Sequence, residues 1–239
     1  MIVTTEAIVL SAIKYRDTSL IVKCLTASNG IKSYLLKGVL TAKKGKLKAA
    51  YFQPLTQLEL VANHMNNTDL HYIREVRISY PYTTLHANPG KNAILLFLSE
   101  VLSGALQEEE ENKNLFQYIK EALKWLDTHN KISNFHILFL IDLTRYLGFY
   151  PNTKNKMFPF FDLLEGEFVA SPSGNPTLAN EDIHLLKAFL GTNFDAVHTI
   201  KIKKEARQQL LNVIMNYFQL HLHGFKKPKS LSVLNEVFN

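Results

Sequence analysis

The chain has 239 residues, 46% of them hydrophobic, and a formal net charge of +6. That suits one or two globular domains with real cores, and the longest apolar run, residues 93–98 (AILLFL), falls far short of the ~20 residues of a membrane span. The single cysteine, Cys24, excludes an intramolecular disulfide and a cysteine-rich zinc site.

The opening MIVTTEAIVL has no basic head and carries Glu6, so no signal peptide is expected and the chain reads as cytoplasmic. Charge is unevenly placed. Residues 1–80 hold eleven Lys and Arg against five Asp and Glu, while residues 81–239 hold sixteen of each. All the excess positive charge lies in the first third, which points to a polyanion-facing N-terminal module on a neutral partner domain.

In chain order, residues 7–13 are short, apolar and β-branched, and predict a strand. Residues 20–26 predict a second, with Cys24 on the same face as Leu20 and Val22, where a buried structural thiol is expected. Asn29-Gly30 predicts a hairpin, because both residues tolerate positive φ. Residues 31–40 give a third strand, 54–61 a fourth and 70–80 a fifth. Five strands in about eighty residues is the count of a small closed barrel of the oligonucleotide-binding type. The lysine run in LTAKKGKLKAAYFQP then connects strands three and four.

Pro81 and Asn88-Pro89-Gly90 mark a boundary. Beyond it the apolar period changes from two to about 3.6. Helices are predicted over 92–106, 115–126, 132–147, 180–190 and 203–222, the third ending at Gly148 and sealed by Pro151. Residues 152–180 break the pattern, with two short strands expected around Glu165-Gly166. The fold class is therefore α+β: a barrel domain over 1–80, then a helical domain over 81–239 with a hairpin insertion.

Catalytic signatures are missing. Gly38 and Gly45 have the wrong spacing for a phosphate loop, and Lys46 is followed by Leu47 rather than Ser or Thr. There is no G-x-G-x-x-G, H-E-x-x-H or G-x-S-x-G. His221 and His223 project about 200° apart on a helix, poor geometry for a shared metal. Glu108–Glu111 reads as a solvated run. What remains is binding chemistry. Lys14, Arg16, Lys37, Lys43, Lys44, Lys46, Lys48, Arg74 and Arg77 can meet phosphates, and Tyr34, Tyr51 and Phe52 can offer stacking surfaces to unpaired bases.

Several short motifs, in order, resemble the RecO family of recombination mediators. Asp17-Thr18-Ser19-Leu20, Leu25-Thr26 and Asn29-Gly30 resemble its opening. Lys37-Gly38, Leu47-Lys48 and Gln53-Pro54-Leu55 resemble its "K-G … L … Q-P-F" segment. Glu100-Val101-Leu102, Leu147-Gly148-Phe149 and Lys229-Ser230-Leu231 are similar to later family segments. The resemblance implies a barrel followed by a helical domain. It also implies binding of single- and double-stranded DNA, annealing of complementary strands, and work with RecR to help RecA displace single-stranded-DNA-binding protein (SSB), without nucleotide hydrolysis.

Many members carry a four-cysteine zinc site just after the L-G-[YF] segment. Here Asn152-Thr153-Lys154-Asn155 and residues 170–173 hold no cysteine, so a metal-free hairpin packed by Phe158, Phe160, Phe161, Leu163 and Phe168 is expected. The acidic C-terminal tail of SSB is an expected partner, with Arg145 or the basic helix start Lys201, Lys203, Lys204 and Arg207 to receive it. Two other readings stay open. One is an RNA-binding or ribosome-associated module. The other is a nuclease, for which Glu6, Asp17, Glu59, Asp69 and Glu75 have no motif-like spacing.

Overall fold

A computed structural model of the chain describes residues 1–41, 47–65, 68–107 and 110–238. They form two compact units. The first is Met1–Thr128 with Pro228–Ser230, the second His129–Lys227 with Leu231–Asn239.

In the first unit, β1 (Ile2–Tyr15), β2 (Ser19–Thr26), β3 (Gly30–Leu36), β4 (Gln57–Asn63) and β5 (Leu70–Tyr80) close into a barrel in the order β1-β2-β3-β5-β4. All neighbours are antiparallel except β3 and β5, which run parallel. Alternation drives closure. Every second residue (Val22 and Cys24, Tyr34 and Leu36, Leu58 and Leu60) points inward and is fully buried. Burial pushes the Cys24 thiol up, which keeps it protonated and inert. Gly30 takes φ +59 and closes the expected β2–β3 hairpin. The third strand ends at Leu36, short of the expected Leu40. Gly38 turns the chain with φ +67, and the Leu40 N–H donates to the Thr18 carbonyl at 3.0 Å.

Helices α1 (Pro89–Ala105) and α2 (Lys113–Thr128) belong to the same unit. Asn88 caps α1 by accepting from the Lys91 N–H. Its far end is closed by Lys23 of β2, whose Nζ donates to the carbonyls of Ser103 (2.7 Å) and Leu106 (2.9 Å). Lys120 of α2 pairs with Glu6 at 2.6 Å, and Gln57 Nε2 donates to the Lys120 carbonyl. The barrel exit is fixed by Asp127. Its buried carboxylate accepts from the N–H groups of Thr83, Thr84 and Leu85 at 2.8–3.2 Å. Lys91 Nζ, also buried, donates to Thr84 Oγ1 (2.7 Å) and to the Asp127 carbonyl (2.8 Å). The compact unit thus runs on past the barrel, through both helices to Thr128.

In the second unit, α3 (Phe135–Tyr146) is buried along almost its whole surface, as its apolar sequence predicts, and the chain leaves it through Gly148 (φ +85). Then β6 (Phe160–Asp162), β7 (Glu167–Val169) and β8 (Thr177–Leu178) form a small sheet in the order β7-β6-β8. Helices α4 (Asn180–Phe189), α5 (Lys204–His221) and α6 (Leu231–Val237) follow. The two-residue β8 and the seven-residue α6 are too short to leave a periodic signal in sequence. Among the described residues, no helix is long and apolar enough to cross a membrane.

Gly166 makes the β6–β7 turn with φ +69. Its N–H donates to the Asp162 carbonyl and its carbonyl accepts from the Asn152 N–H. A Cβ here would stand 2.6 Å from Tyr217 Oη, whose hydroxyl donates to the Phe149 carbonyl. Gly166→Ala combines left-handed strain with that clash. We expect a cost of about 1–3 kcal/mol, read as a lower denaturation midpoint with an unchanged slope.

Candidate nucleic-acid interface

The β1–β2 turn and the segment leaving β3 meet at one end of the barrel. Lys14 pairs in register with Leu20, Leu20 with Leu36, and the backbone bond from Leu40 to Thr18 closes the corner. Lys14, Arg16, Lys37 and Lys48 are all exposed, and Lys14, Arg16 and Lys37 gather at this corner. Arg16 sits at the tip of the turn with φ +53, an uncommon conformation for a side chain of its size. Lys43, Lys44 and Lys46 lie outside the described residues. Lys48, just beyond them, precedes a 3₁₀ turn, Ala49–Phe52.

The other two barrel cations are differently placed. Arg74 is exposed where β5 slips register against β4. Arg77 is engaged: Nη2 lies 2.6 Å from Glu59 Oε2. Glu59 is in register with Glu6, which holds Lys120. Lys120, Glu6, Glu59 and Arg77 therefore form a row with a cation at each end and two carboxylates between, and part of the Arg77 guanidinium is already engaged by Glu59.

Two of the expected stacking aromatics are corrected. Tyr34 and Phe52 are fully buried in the barrel core and cannot present a face to a base. Tyr34 shares a 3.0 Å hydrogen bond with His64 Nε2, and His64 lies against His71, whose Nδ1 accepts from the Met65 N–H. Burial, with help from the His71, Lys32 and N-terminal charges, pulls His64 down to about 4, so His64 is neutral at pH 7. Tyr51 is partly buried against the core, with Lys48 Nζ 6.0 Å from its ring centroid. Tyr15, under Arg16 at 5.2 Å, and Tyr72, under Lys37 at 5.3 Å, also meet cations near solvent. Sequence reasoning passed over both. Tyr15 lies beyond the expected end of the first strand, and Tyr72 has no lysine near it in sequence.

In the helical unit, Arg145 is exposed, its Nε 3.4 Å from Asp142 and its guanidinium 3.4 Å from the Tyr150 ring centroid. Lys204 and Arg207, on the first turns of α5, line a small pocket with His136, Leu211, Leu234 and Phe238. Lys203 precedes α5 and Lys201 stands exposed before it. Arg145 does not line that pocket. His221 is taken up by packing, its ring stacked on Phe149 at 5.0 Å and its Nε2 2.9 Å from the Leu163 carbonyl.

The hairpin module does not fit a zinc ion. Among the described residues there is no group of three His, Cys, Asp or Glu side chains able to hold a metal, and the one cysteine lies in the barrel. The cross-link comes from Asp162. Its buried carboxylate accepts from the N–H groups of Leu164 (2.9 Å) and Glu165 (3.1 Å), from Ser173 Oγ (2.8 Å) and from Asn175 Nδ2 (2.9 Å). One side chain thus ties the β6–β7 turn to the loop before β8.

Residues 1–82 match the family model for the recombination protein O N terminal, and residues 86–231 match that for its C terminal. This chain belongs to the RecO family. Relatives named DNA repair protein RecO span the whole of both chains. That of Christiangramia forsetii is 48% identical, that of Flavobacterium psychrophilum 45%, and that of Phocaeicola vulgatus 37%. The closed barrel and the helical region are those expected of a RecO chain, and the cation-rimmed corner lies within the segment matched by the RecO N-terminal model.

Proposed function

We propose that the chain is a non-enzymatic mediator of DNA repair and recombination, acting in the cytoplasm at the nucleoid. In this reading it binds single- and double-stranded DNA and anneals complementary strands. With RecR, it helps load RecA onto DNA coated by SSB. The observation that carries the reading is the clustering of exposed Lys14, Arg16 and Lys37 at one corner of a closed five-stranded barrel, with Lys48 and the lysine run on the same connection. Neutralised phosphates release counterions, so two strands held there repel each other less and can pair. The basic start of α5 and the pocket beside it, or Arg145, offer charge complementary to the acidic SSB tail.

The test is fluorescence anisotropy of a labelled single strand across a salt series. With about five lysines on phosphates, the log–log slope should be roughly −3 to −4. Lys43, Lys44, Lys46 and Lys48→Ala together should flatten it by about 0.7 per lysine removed, while docking of the SSB tail peptide persists. A slope unchanged in that variant would move the DNA path to another face. Loss of tail docking as well would contradict the division of labour.

A further inference from the structure

Gln53-Pro54-Leu55-Thr56 is a tight turn, closed by the Thr56 N–H on the Gln53 carbonyl at 3.2 Å. Leu55 takes φ +58 in it. With proline second, the third position of such a turn ordinarily holds glycine, because a positive φ crowds a larger side chain. Among the described residues that are not glycine, Arg16, Leu55 and Asn180 share this trait, and of these Leu55 alone is buried. Strain of this kind persists only where the surroundings over-determine it, and it gathers at functional segments.

The turn is held from both sides. On one, the Leu55 N–H donates to the Val9 carbonyl at 2.8 Å, and the Val9 N–H donates to the Thr56 carbonyl at 3.1 Å. On the other, a bond comes from outside the strands: Tyr82 Oη donates to the Leu55 carbonyl at 2.8 Å. Tyr82 is half-buried, its ring edge-on to those of Tyr80 and His86. Thr83, next in the chain, opens the run of N–H groups gathered by Asp127 of α2. The turn is thereby clamped between β1 and the linker that leads to α1.

This turn is the foot of the lysine-bearing connection. Thr56 leads straight into β4, and Gln53 ends the 3₁₀ turn Ala49–Phe52, where the Tyr51 N–H donates to the Lys48 carbonyl at 3.0 Å. Phe52 is buried, and Leu47, Ala49 and Tyr51 pack against the barrel core. Cationic side chains on a backbone fixed in advance lose less freedom when they meet phosphates. We infer that Tyr82 is a positioning residue for phosphate binding: its hydroxyl locks the strained Leu55 turn and so fixes the base from which Lys48 reaches DNA. The inference rests on the DNA-binding reading above, and it makes the grip depend on the linker as well as on the barrel.

The test is fluorescence anisotropy of a labelled single strand with the full-length chain, at a temperature where every variant is folded. Tyr82→Phe keeps the ring and removes the hydroxyl. Affinity should fall about fivefold, with the salt slope held, because no phosphate contact is deleted. In the background Lys43, Lys44, Lys46 and Lys48→Ala, the same substitution should cost nothing further, the non-additivity expected of groups that act together. Hydrogen exchange over residues 49–56 should quicken in Tyr82→Phe. Tyr217→Phe is the control. It deletes the same kind of bond in the second unit, from Tyr217 Oη to the Phe149 carbonyl at 2.8 Å. It should lower the melting temperature as Tyr82→Phe does, yet leave affinity unchanged.

An equal loss in both backgrounds would make Tyr82 a general prop and overturn the positioning role. So would a matching affinity loss in Tyr217→Phe, or unchanged affinity in Tyr82→Phe. A wild type that fails to bind the strand, or a quadruple lysine variant that binds as the wild type does, would instead sink the DNA path itself, and the positioning role with it.

Discussion

Asp127→Ala should destabilise the first unit by about 3–5 kcal/mol, a fall in melting temperature on the order of 10 °C. The substitution leaves the N–H groups of Thr83, Thr84 and Leu85, the last of them buried, without their acceptor, and strips the Lys91 ammonium of the nearby carboxylate charge. Each unmet buried donor costs about 1–3 kcal/mol. Asp127→Asn keeps the shape and one acceptor oxygen but turns an NH₂ toward donors, so it should recover only part of the loss. Calorimetry of the purified variants reads both.

The same carboxylate makes stability depend on acid. Burial pushes Asp127 up, and the bonds from Thr83, Thr84 and Leu85 outweigh it, so it is held below its ordinary value. A group with a lowered folded value stabilises fully above its unfolded value of about 4. That stability is lost as pH falls through the lower folded value. The wild type should therefore lose stability more steeply below about pH 4 than Asp127→Asn does. Parallel curves would show that folding leaves the carboxylate's proton affinity unchanged.

Asp162→Ala should open the hairpin module at a cost of about 2–4 kcal/mol, while a strong zinc chelator leaves the wild type unmoved. The two arms separate the possible cross-links. A chelator-sensitive melting temperature would mean that a metal holds the module. An unmoved Asp162→Ala would mean that packing of Phe161 and Phe168 suffices alone. Asp162 is also held below its ordinary value, burial being outweighed by hydrogen bonds from Glu165, Asn175, Ser173 and Leu164. Its contribution likewise disappears toward low pH.

The barrel was readable because period-two alternation and the Asn29-Gly30 turn are local signals, and local signals survive in one dimension. The loss of cysteines in the hairpin was readable for the same reason. Asp127 and Asp162 were not. A lone Asp near a helix end or in a short strand looks the same whether it faces water or also gathers donors from another segment. Tyr34 and Phe52 were misassigned because an aromatic beside a basic run does not declare which side of the strand it takes. Only the register, with Tyr34 opposite Val22, turns it inward. Tyr15, Leu35 and Tyr72 come onto one side of the barrel only through pairing across four strands, which no spacing along the chain encodes.

The tripeptide Pro228–Ser230 groups with the first unit although all of His129–Lys227 intervenes, and the Ser230 N–H donates to Glu100 of α1 at 3.3 Å. The chain therefore passes between units three times. A fragment ending at Thr128 is not the natural first unit, for it lacks its last strap. A single protease cut near residue 129 would break the covalent link and leave Pro228–Ser230 on one fragment and the rest of its unit on the other. The fragments would then be held by non-covalent packing, and separating them would mean pulling that tripeptide away. In this chain, limited proteolysis would map nicks without necessarily yielding domains.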